Sequence, residues 1–359
     1  MHRAGLGRTL EAIKGGSLTL GFIGGSITDP RPGYNWPEPV AAWFVRRFPG
    51  ARIAVENAAI GATGSELAVF RAQRDLIDRG CDLVFIEFAV NDNGEPPERR
   101  ARTREGLVRK LLAGQGRDLM LVYTFCEDMR PEMAAGEMPA SIADFEAIAD
   151  HYAIPSAWMG LHALRQVEAG QMTMEEWLPD GLHPEHRGSA SYGECVVGLL
   201  EKELLGSPSP GTIPTGDARP APLNPHHWES AAALPFSAVR LDGPWLLRRW
   251  PHLIWMDQVL EAPEMGPRLA FDFQGTALSL GFDFGQDSAD FRYRLDGADW
   301  APALRDRPEW CGPSGWYRIT NIADDLEPGT HRFELEVVAP DPAPRGEPYF
   351  RLALIGVVG

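Results

Sequence analysis

The chain has 359 residues, long for one domain and comfortable for two. Apolar side chains make up 44% of it, enough for a core, and 34 basic against 50 acidic residues leave a formal net charge of −16. That acidity disfavours nucleic acid and anionic membrane as partners, because neither is drawn to a negative surface.

The opening stretch MHRAGLGRTLEAIKGGSLTLGFIGGS has basic residues but no apolar run long enough for a signal peptide, and nothing after it approaches a membrane span. Cys81, Cys126, Cys195 and Cys311 are scattered, with no C-x-x-C pair. The expectation is a cytoplasmic protein with reduced thiols.

From residue 17 to 205, strand-like and helix-like segments alternate. The strand candidates are 17–24, 51–57, 82–90, 118–125 and a short 152–157; amphipathic stretches at 36–48, 64–79, 97–113, 139–150 and 187–205 lie between and after them. Near-continuous apolar strands alternating with helices predict a parallel sheet covered on both faces, with ligands bound beyond the carboxyl ends of the strands. Ser26, Asn91 and Glu127 fall at those ends. The run 206–225, GSPSPGTIPTGDARPAPLNP, has little to bury and reads as a semi-extended linker. From 226 to 359 helical periodicity disappears. RLAFDFQ, ALSLGFDF, DFRYRLDG, HRFELEVVAP and YFRLALIGVVG then predict a second, all-β domain, a jelly-roll-like sandwich. The domains are thus expected at 1–205 and 226–359.

Four short stretches could carry chemistry: GGSIT (24–28), NAAIGATGS (57–65), EFAVND (87–92) and DGLHP (180–184). Each has a bland reading. A serine after two glycines commonly caps a helix, Asn91 and Asp92 suit a turn, and a lone loop histidine is usually solvated. Their order is another matter: three follow successive strands on one edge of the sheet and the fourth precedes the last helix. Acyl transfer needs a nucleophile, a base, a group that orients the base, and donors for the oxyanion. Ser26 suits the first role and His183 the second; Asp180, three residues earlier, suits the third. The amides of Ser26 and of Gly61–Ala62, with the Asn91 side chain, can supply the donors. A phosphate loop would need a following lysine, and an α/β-hydrolase elbow would need G-x-S-x-G; neither is present. Pro184 argues against a helix presenting His183 and His186 to one metal. Neither metal nor cofactor is expected, and Glu87 reads as structural.

This arrangement resembles the SGNH hydrolase superfamily, the GDSL esterases and lipases, over roughly residues 17–205. GGSIT stands where G-D-S-[LI] is commoner, with Ser26 at the nucleophile position. AVND stands where G-x-N-D is usual, so Ala89 replaces a glycine while Asn91 is kept. Asp180 and His183 match the last block unchanged. In the second block an ungapped alignment puts Ala62 at the oxyanion glycine, and a one-residue gap puts Gly61 there; either amide can donate. The resemblance implies a flavodoxin-like, three-layer α/β domain and a serine esterase working through an acyl-enzyme.

The spelling of the blocks is closest to the carbohydrate-esterase branch. Tyr34, Asn35 and Trp36, in a Pro/Gly-rich loop after the nucleophile, suit a sugar face, although Trp36 could equally staple the next helix to the sheet. The second domain is rich in aromatics (Trp245, Trp250, Trp255, Trp300, Trp310, Trp316, Tyr317), most of them expected in its core, and it could bind glycan, oligomerise or cover a cleft. The reading is a deacetylase of small-molecule or oligosaccharide esters. A short-chain lipid esterase or acyl-thioesterase, or a glycan-binding protein on an inactive scaffold, are the alternatives, and homo-oligomerisation stays open.

Overall fold

The computed structural model describes residues 1–30, 34–114, 116–206, 211–250, 256, 258–303, 308–341, 346 and 348–359. Its first sheet is made of β1 (Ser17–Gly24), β2 (Arg52–Asn57), β3 (Leu83–Glu87), β4 (Asp118–Val122) and β5 (Ser156–Ala157). All neighbours are parallel, in the order β2-β1-β3-β4-β5. Strands β3 and β4 are buried at every position, as expected of central strands covered on both faces. The helices are α1 (Gly7–Lys14), α2 (Pro37–Arg47), α3 (Ser65–Ala72), α4 (Pro97–Ala113), α5 (Arg130–Ala134), α6 (Ala140–His151), α7 (Met159–Glu168), α8 (Met174–Trp177) and α9 (His186–Leu205). Helices α2, α7 and α8 pack against α9, α3 and α6 against α4, and α1 against β1 and β4. Chain order reverses at β1, which pairs with β2 on one side and β3 on the other. This is the switch point at which such sheets bind ligands.

Several boundaries differ from the sequence reading. Strand β3 ends at Glu87 rather than running to 90, because the next carbonyls find side-chain partners instead of a ladder. Arg104 donates to the Phe88 carbonyl at 3.3 Å and the Ser141 hydroxyl to that of Ala89 at 2.6 Å. The chain then turns helically, Asp92 N–H donating to the Phe88 carbonyl at 3.0 Å. The helix expected over 64–79 ends as a wide turn at Gln73–Ile77, with an Asp78-to-Gln73 bond of 2.8 Å. Of the short strand expected at 152–157, only Ser156 and Ala157 pair. Helices α1, α5, α7 and α8 lie outside the helical stretches read from the sequence.

The chain divides into compact units at Met1–Glu229 and Ser230–Gly359. The run read as a linker, 206–225, is described at 206 and from 211, and residues 211–229 are fastened to the first unit. Gly5 bridges to Thr212, and Arg8 donates to the Ile213 carbonyl and the Thr215 hydroxyl. Glu105 accepts from the Leu223 and Asn224 amides at 2.6 and 2.7 Å, and Arg109 reaches Glu229 at 2.7 Å. Trp228 is buried against Phe70 and against Gly106, where a Cβ would lie 2.6 Å from the Trp228 backbone.

The second unit has eleven strands among the described residues: β6 (Ala232–Ala233), β7 (Arg240–Asp242), β8 (Leu246–Arg248), β9 (Val259–Ala262), β10 (Arg268–Gly275), β11 (Ala277–Asp283), β12 (Asp290–Leu295), β13 (Ala301–Pro302), β14 (Tyr317–Ala323), β15 (Gly329–Val338) and β16 (Phe350–Val358). They form two antiparallel sheets, β13-β12-β15-β10-β7 and β14-β11-β16-β9-β8, with β6 added to β16. Burial alternates along β10 and β15, and the inward set (Phe271, Phe273, Phe333) meets Leu280, Phe282 and Phe350 of the other sheet in one core. Among the aromatics of 307–318, Tyr317, the first residue of β14, is buried and Trp310 is exposed, its ring 4.9 Å from that of Trp316; Trp255 lies outside the described residues.

Candidate active site

Beyond the end of β1 the chain makes a single helical turn, the amides of Thr28 and Asp29 both donating to the Gly25 carbonyl at 3.1 and 3.0 Å. Ser26 is carried on this turn, half-buried, with Oγ 2.8 Å from His183 Nε2. His183 Nδ1 is 2.7 Å from Asp180 Oδ2. The other Asp180 oxygen accepts the amides of Leu182 and His183 at 2.9 and 2.6 Å, folding DGLH into a tight Asx-type turn through Gly181 at φ +80°. With Nδ1–H donating to the carboxylate, Nε2 is left as the acceptor for the Ser26 hydroxyl. Partial burial pushes the Asp180 carboxyl up. Hydrogen bonds from the His183 amide, the His183 ring and the Leu182 amide outweigh it and hold the group below its ordinary value. Asp180 therefore stays charged where an imidazolium needs a partner.

Asn91 reaches the same point from β3. A Cβ on Gly25 would overlap the Asn91 side chain, so the second glycine of GGS is what admits the asparagine beside Ser26. The neighbouring Asp92 points away into the protein. It accepts from the Ser65 amide at the start of α3 (2.9 Å) and from Arg104 Nε (2.8 Å). The Arg104 guanidinium is fully buried, also donating to the Ser141 carbonyl and hydroxyl, and lies 3.9 Å from the centre of the Phe145 ring.

In the loop after β2, Gly61 and Ala62 separate. The Gly61 amide is taken by the buried Asp29 carboxylate at 3.1 Å and is not free to meet an oxyanion. Ala62, with φ at +60°, is the next amide along and the remaining candidate.

Trp36, open between a sugar platform and a staple for the next helix, is fully buried. Its ring packs against Phe22 and Phe85 at 5.3 and 5.7 Å and its indole N–H donates to Thr28 Oγ1 at 2.9 Å. Phe22 and Phe85 pair across β1 and β3 and stack, leaving a socket that an indole fills, so the staple reading of Trp36 is the correct one. Tyr34 stays 42% exposed, its ring centre 3.6 Å from that of His186, and its carbonyl accepts from Ser189. Glu127, five residues past the end of β4, pairs with Arg130 instead. Glu87 is fully buried beneath the nucleophile turn. Burial raises its pKa, and hydrogen bonds from Thr124, Thr28 and the Gly25 amide oppose that rise only in part. Asp29, Asp92 and Arg104 escaped the sequence reading as participants; a buried charge gives no local signal.

Residues 22–190 match the family described as GDSL-like Lipase/Acylhydrolase. This stretch belongs to that family. The GDSL-like domain makes the protein a carboxylic ester hydrolase. No curated protein matches the chain. Two solved structures of a two-domain esterase (CEX) active on acetylated mannans are similar at 24% identity and a TM-score of 0.81. One of these was co-crystallised with mannopentaose. Each match covers 99% of this chain, and 95% and 96% of the other. At that identity the likeness is one of fold, extending past the GDSL-like domain into the antiparallel sheets.

Proposed function

We propose that this chain is a serine esterase that removes acetyl groups from carbohydrate esters. The observation that carries it is the Ser26–His183–Asp180 chain of contacts, at 2.8 and 2.7 Å, at the sheet's switch point. Ser26 Oγ attacks the ester carbonyl carbon while His183 Nε2 takes its proton. The carbonyl oxygen becomes an oxyanion met by the Ser26 and Ala62 amides and the Asn91 side-chain amide. Collapse breaks the bond to the sugar oxygen, which leaves as a hydroxyl with the proton from His183. Water then attacks the acetyl-Ser26 ester, giving its proton to His183; acetate departs and the Ser26 hydroxyl is restored. Asp180 holds the ring and offsets the imidazolium charge in both halves.

Two features support a sugar ester as the substrate. CEX acts on acetylated mannans, and the exposed Tyr34 ring, packed on His186, offers an aromatic face of the kind that stacks on sugars. The test is acetate release from acetylated manno- and xylo-oligosaccharides, wild type beside Ser26→Ala, with p-nitrophenyl octanoate as a comparison. Release by the wild type alone, with little octanoate turnover, is the expected result. Brisk octanoate hydrolysis without acetate release would move the substrate to lipids or thioesters.

A further inference from the structure

The three donors assigned to the oxyanion stand on three separate loops, after β1, β2 and β3. Ahead of Gly61, the Ile60 amide donates to the Gly24 carbonyl and the Asn57 side-chain amide to the Thr28 carbonyl. From Gly61 onward two buried carboxylates tie the loops. Asp29 belongs to the nucleophile turn itself, its amide bonded to the Gly25 carbonyl, and its side chain accepts the Gly61 amide 32 positions away. Asp92 follows Asn91 directly, and its side chain accepts the Ser65 amide 27 positions away. Both therefore grip the same five-residue turn, Gly61–Ser65, one at each end. Between the grips Thr63 Oγ1 donates to the Ile60 carbonyl at 2.8 Å, and a Cβ at Gly64 would overlap the Asp92 carboxylate. Inside this turn sits Ala62, in the left-handed region that an alanine avoids unless its surroundings impose it.

We propose that Asp29 is a positioning residue for the oxyanion: with Asp92 it clamps the Gly61–Ser65 turn and so keeps the Ala62 amide in its left-handed setting beside Ser26. The inference rests on the Ala62 role assigned above. Asp29 neither attacks nor transfers a proton; it is 1% exposed and its work is done through Gly61. Without its carboxylate oxygen, the turn is free to relax Ala62 to an ordinary negative φ, rotating the peptide that carries the donor.

The test uses the full chain, p-nitrophenyl acetate and a small alkyl boronic acid, whose tetrahedral adduct on Ser26 puts an oxygen where the oxyanion forms. Asp29→Ala is expected to lower kcat about 10- to 100-fold with KM changed less than about threefold, and to weaken boronate inhibition by the same factor as kcat. Asp29→Asn, which keeps an acceptor oxygen, is expected to recover most of the loss. The decisive variant adds Ala62→Gly to Asp29→Ala: glycine takes the left-handed conformation without help, so part of the lost kcat returns. Should Asp29→Ala not fold, the pair Asp29→Asn and Asp29→Asn with Ala62→Gly is read the same way. A folded Asp29→Ala enzyme with wild-type kcat and boronate affinity overturns the proposal. So does a loss of kcat, KM and melting temperature together that Ala62→Gly leaves untouched. Ser26→Ala run alongside keeps the two readings apart: activity retained there sinks the nucleophile assignment, whatever Asp29 does.

Discussion

The two halves of the site are built differently. The acid–base half, Asp180 and His183, lies within four residues of one loop, with side chains 56% and 43% exposed and the carboxylate held by amides two and three positions away. The oxyanion half is anchored in the interior. Asp29 and Asp92 are each 1% exposed and Arg104 is fully buried, and their bonds span up to 37 positions of sequence. Proton transfer needs a group that can exchange with water, whereas oxyanion stabilisation needs donors that do not move. The consequence is that chemistry and stability are separable in the first half and coupled in the second.

Ser26→Ala breaks the comparison most severely, and kcat should fall by at least about 10³-fold. Its melting temperature should stay within about 2 °C of wild type, since a half-buried turn hydroxyl carries little stability; a large drop measured by calorimetry would mean the turn depends on the hydroxyl. Asp180→Asn should cost about 10²- to 10⁴-fold in kcat, again with little change in melting temperature. Because Asp180 is held below the ordinary carboxylate range, it stays charged into mild acid and adds no proton of its own to the acid limb of wild-type kcat/KM. A limb steeper than one proton would mean that this carboxylate titrates there.

In the buried half the order of effects inverts. Arg104→Met leaves the Asp92 carboxylate in the interior without its cation, and breaking a pair of this kind costs about 3–5 kcal/mol. Denaturant unfolding should register that loss, with kcat reduced by only about tenfold in the fraction that folds, as the Asn91 turn loosens. The smallest effect is a matter of pH. Burial raises the Glu87 pKa, so the folded state holds that proton more tightly than the unfolded chain does. The resulting stability is present below the ordinary carboxylate range and is lost as pH rises through the raised value. Glu87→Gln cannot ionise, so its melting temperature should gain on that of wild type as pH rises from about 4. A difference that stays flat with pH would mean Glu87 does not titrate in this way.

The same division explains what could be read from the sequence. Asp180 and His183 announce themselves because a three-residue spacing in one loop is a local pattern, and the strand–helix alternation that puts Ser26 and Asn91 on one edge is carried by apolar runs. Asp29 was one more polar residue after the nucleophile. Only the pairing of β1 with β2 brings it to Gly61, and neither spacing nor composition encodes that distance. Choosing between Gly61 and Ala62 required knowing which amide was already taken. Trp36 stayed open for a related reason: an aromatic after a Pro/Gly-rich loop looks alike whether it faces a ligand or a socket, and the socket is made by Phe22 and Phe85, one from each of two strands. The run 206–225 looked like a tether because it has few apolar residues. Where described, it is held by the charged side chains of α1 and α4 bonding its backbone, a mode that hydropathy does not register.

That fastening bears on how the protein is made. Trp228 fills a place against Phe70 and Gly106 that nothing earlier in the chain supplies. A nascent chain halted at 205 would carry every residue of the site and still expose that surface. Covering that surface requires residues up to 229, which are synthesised only just ahead of the sandwich. An expression boundary placed by motif, at the end of α9, would cut away the last piece of the unit it means to isolate.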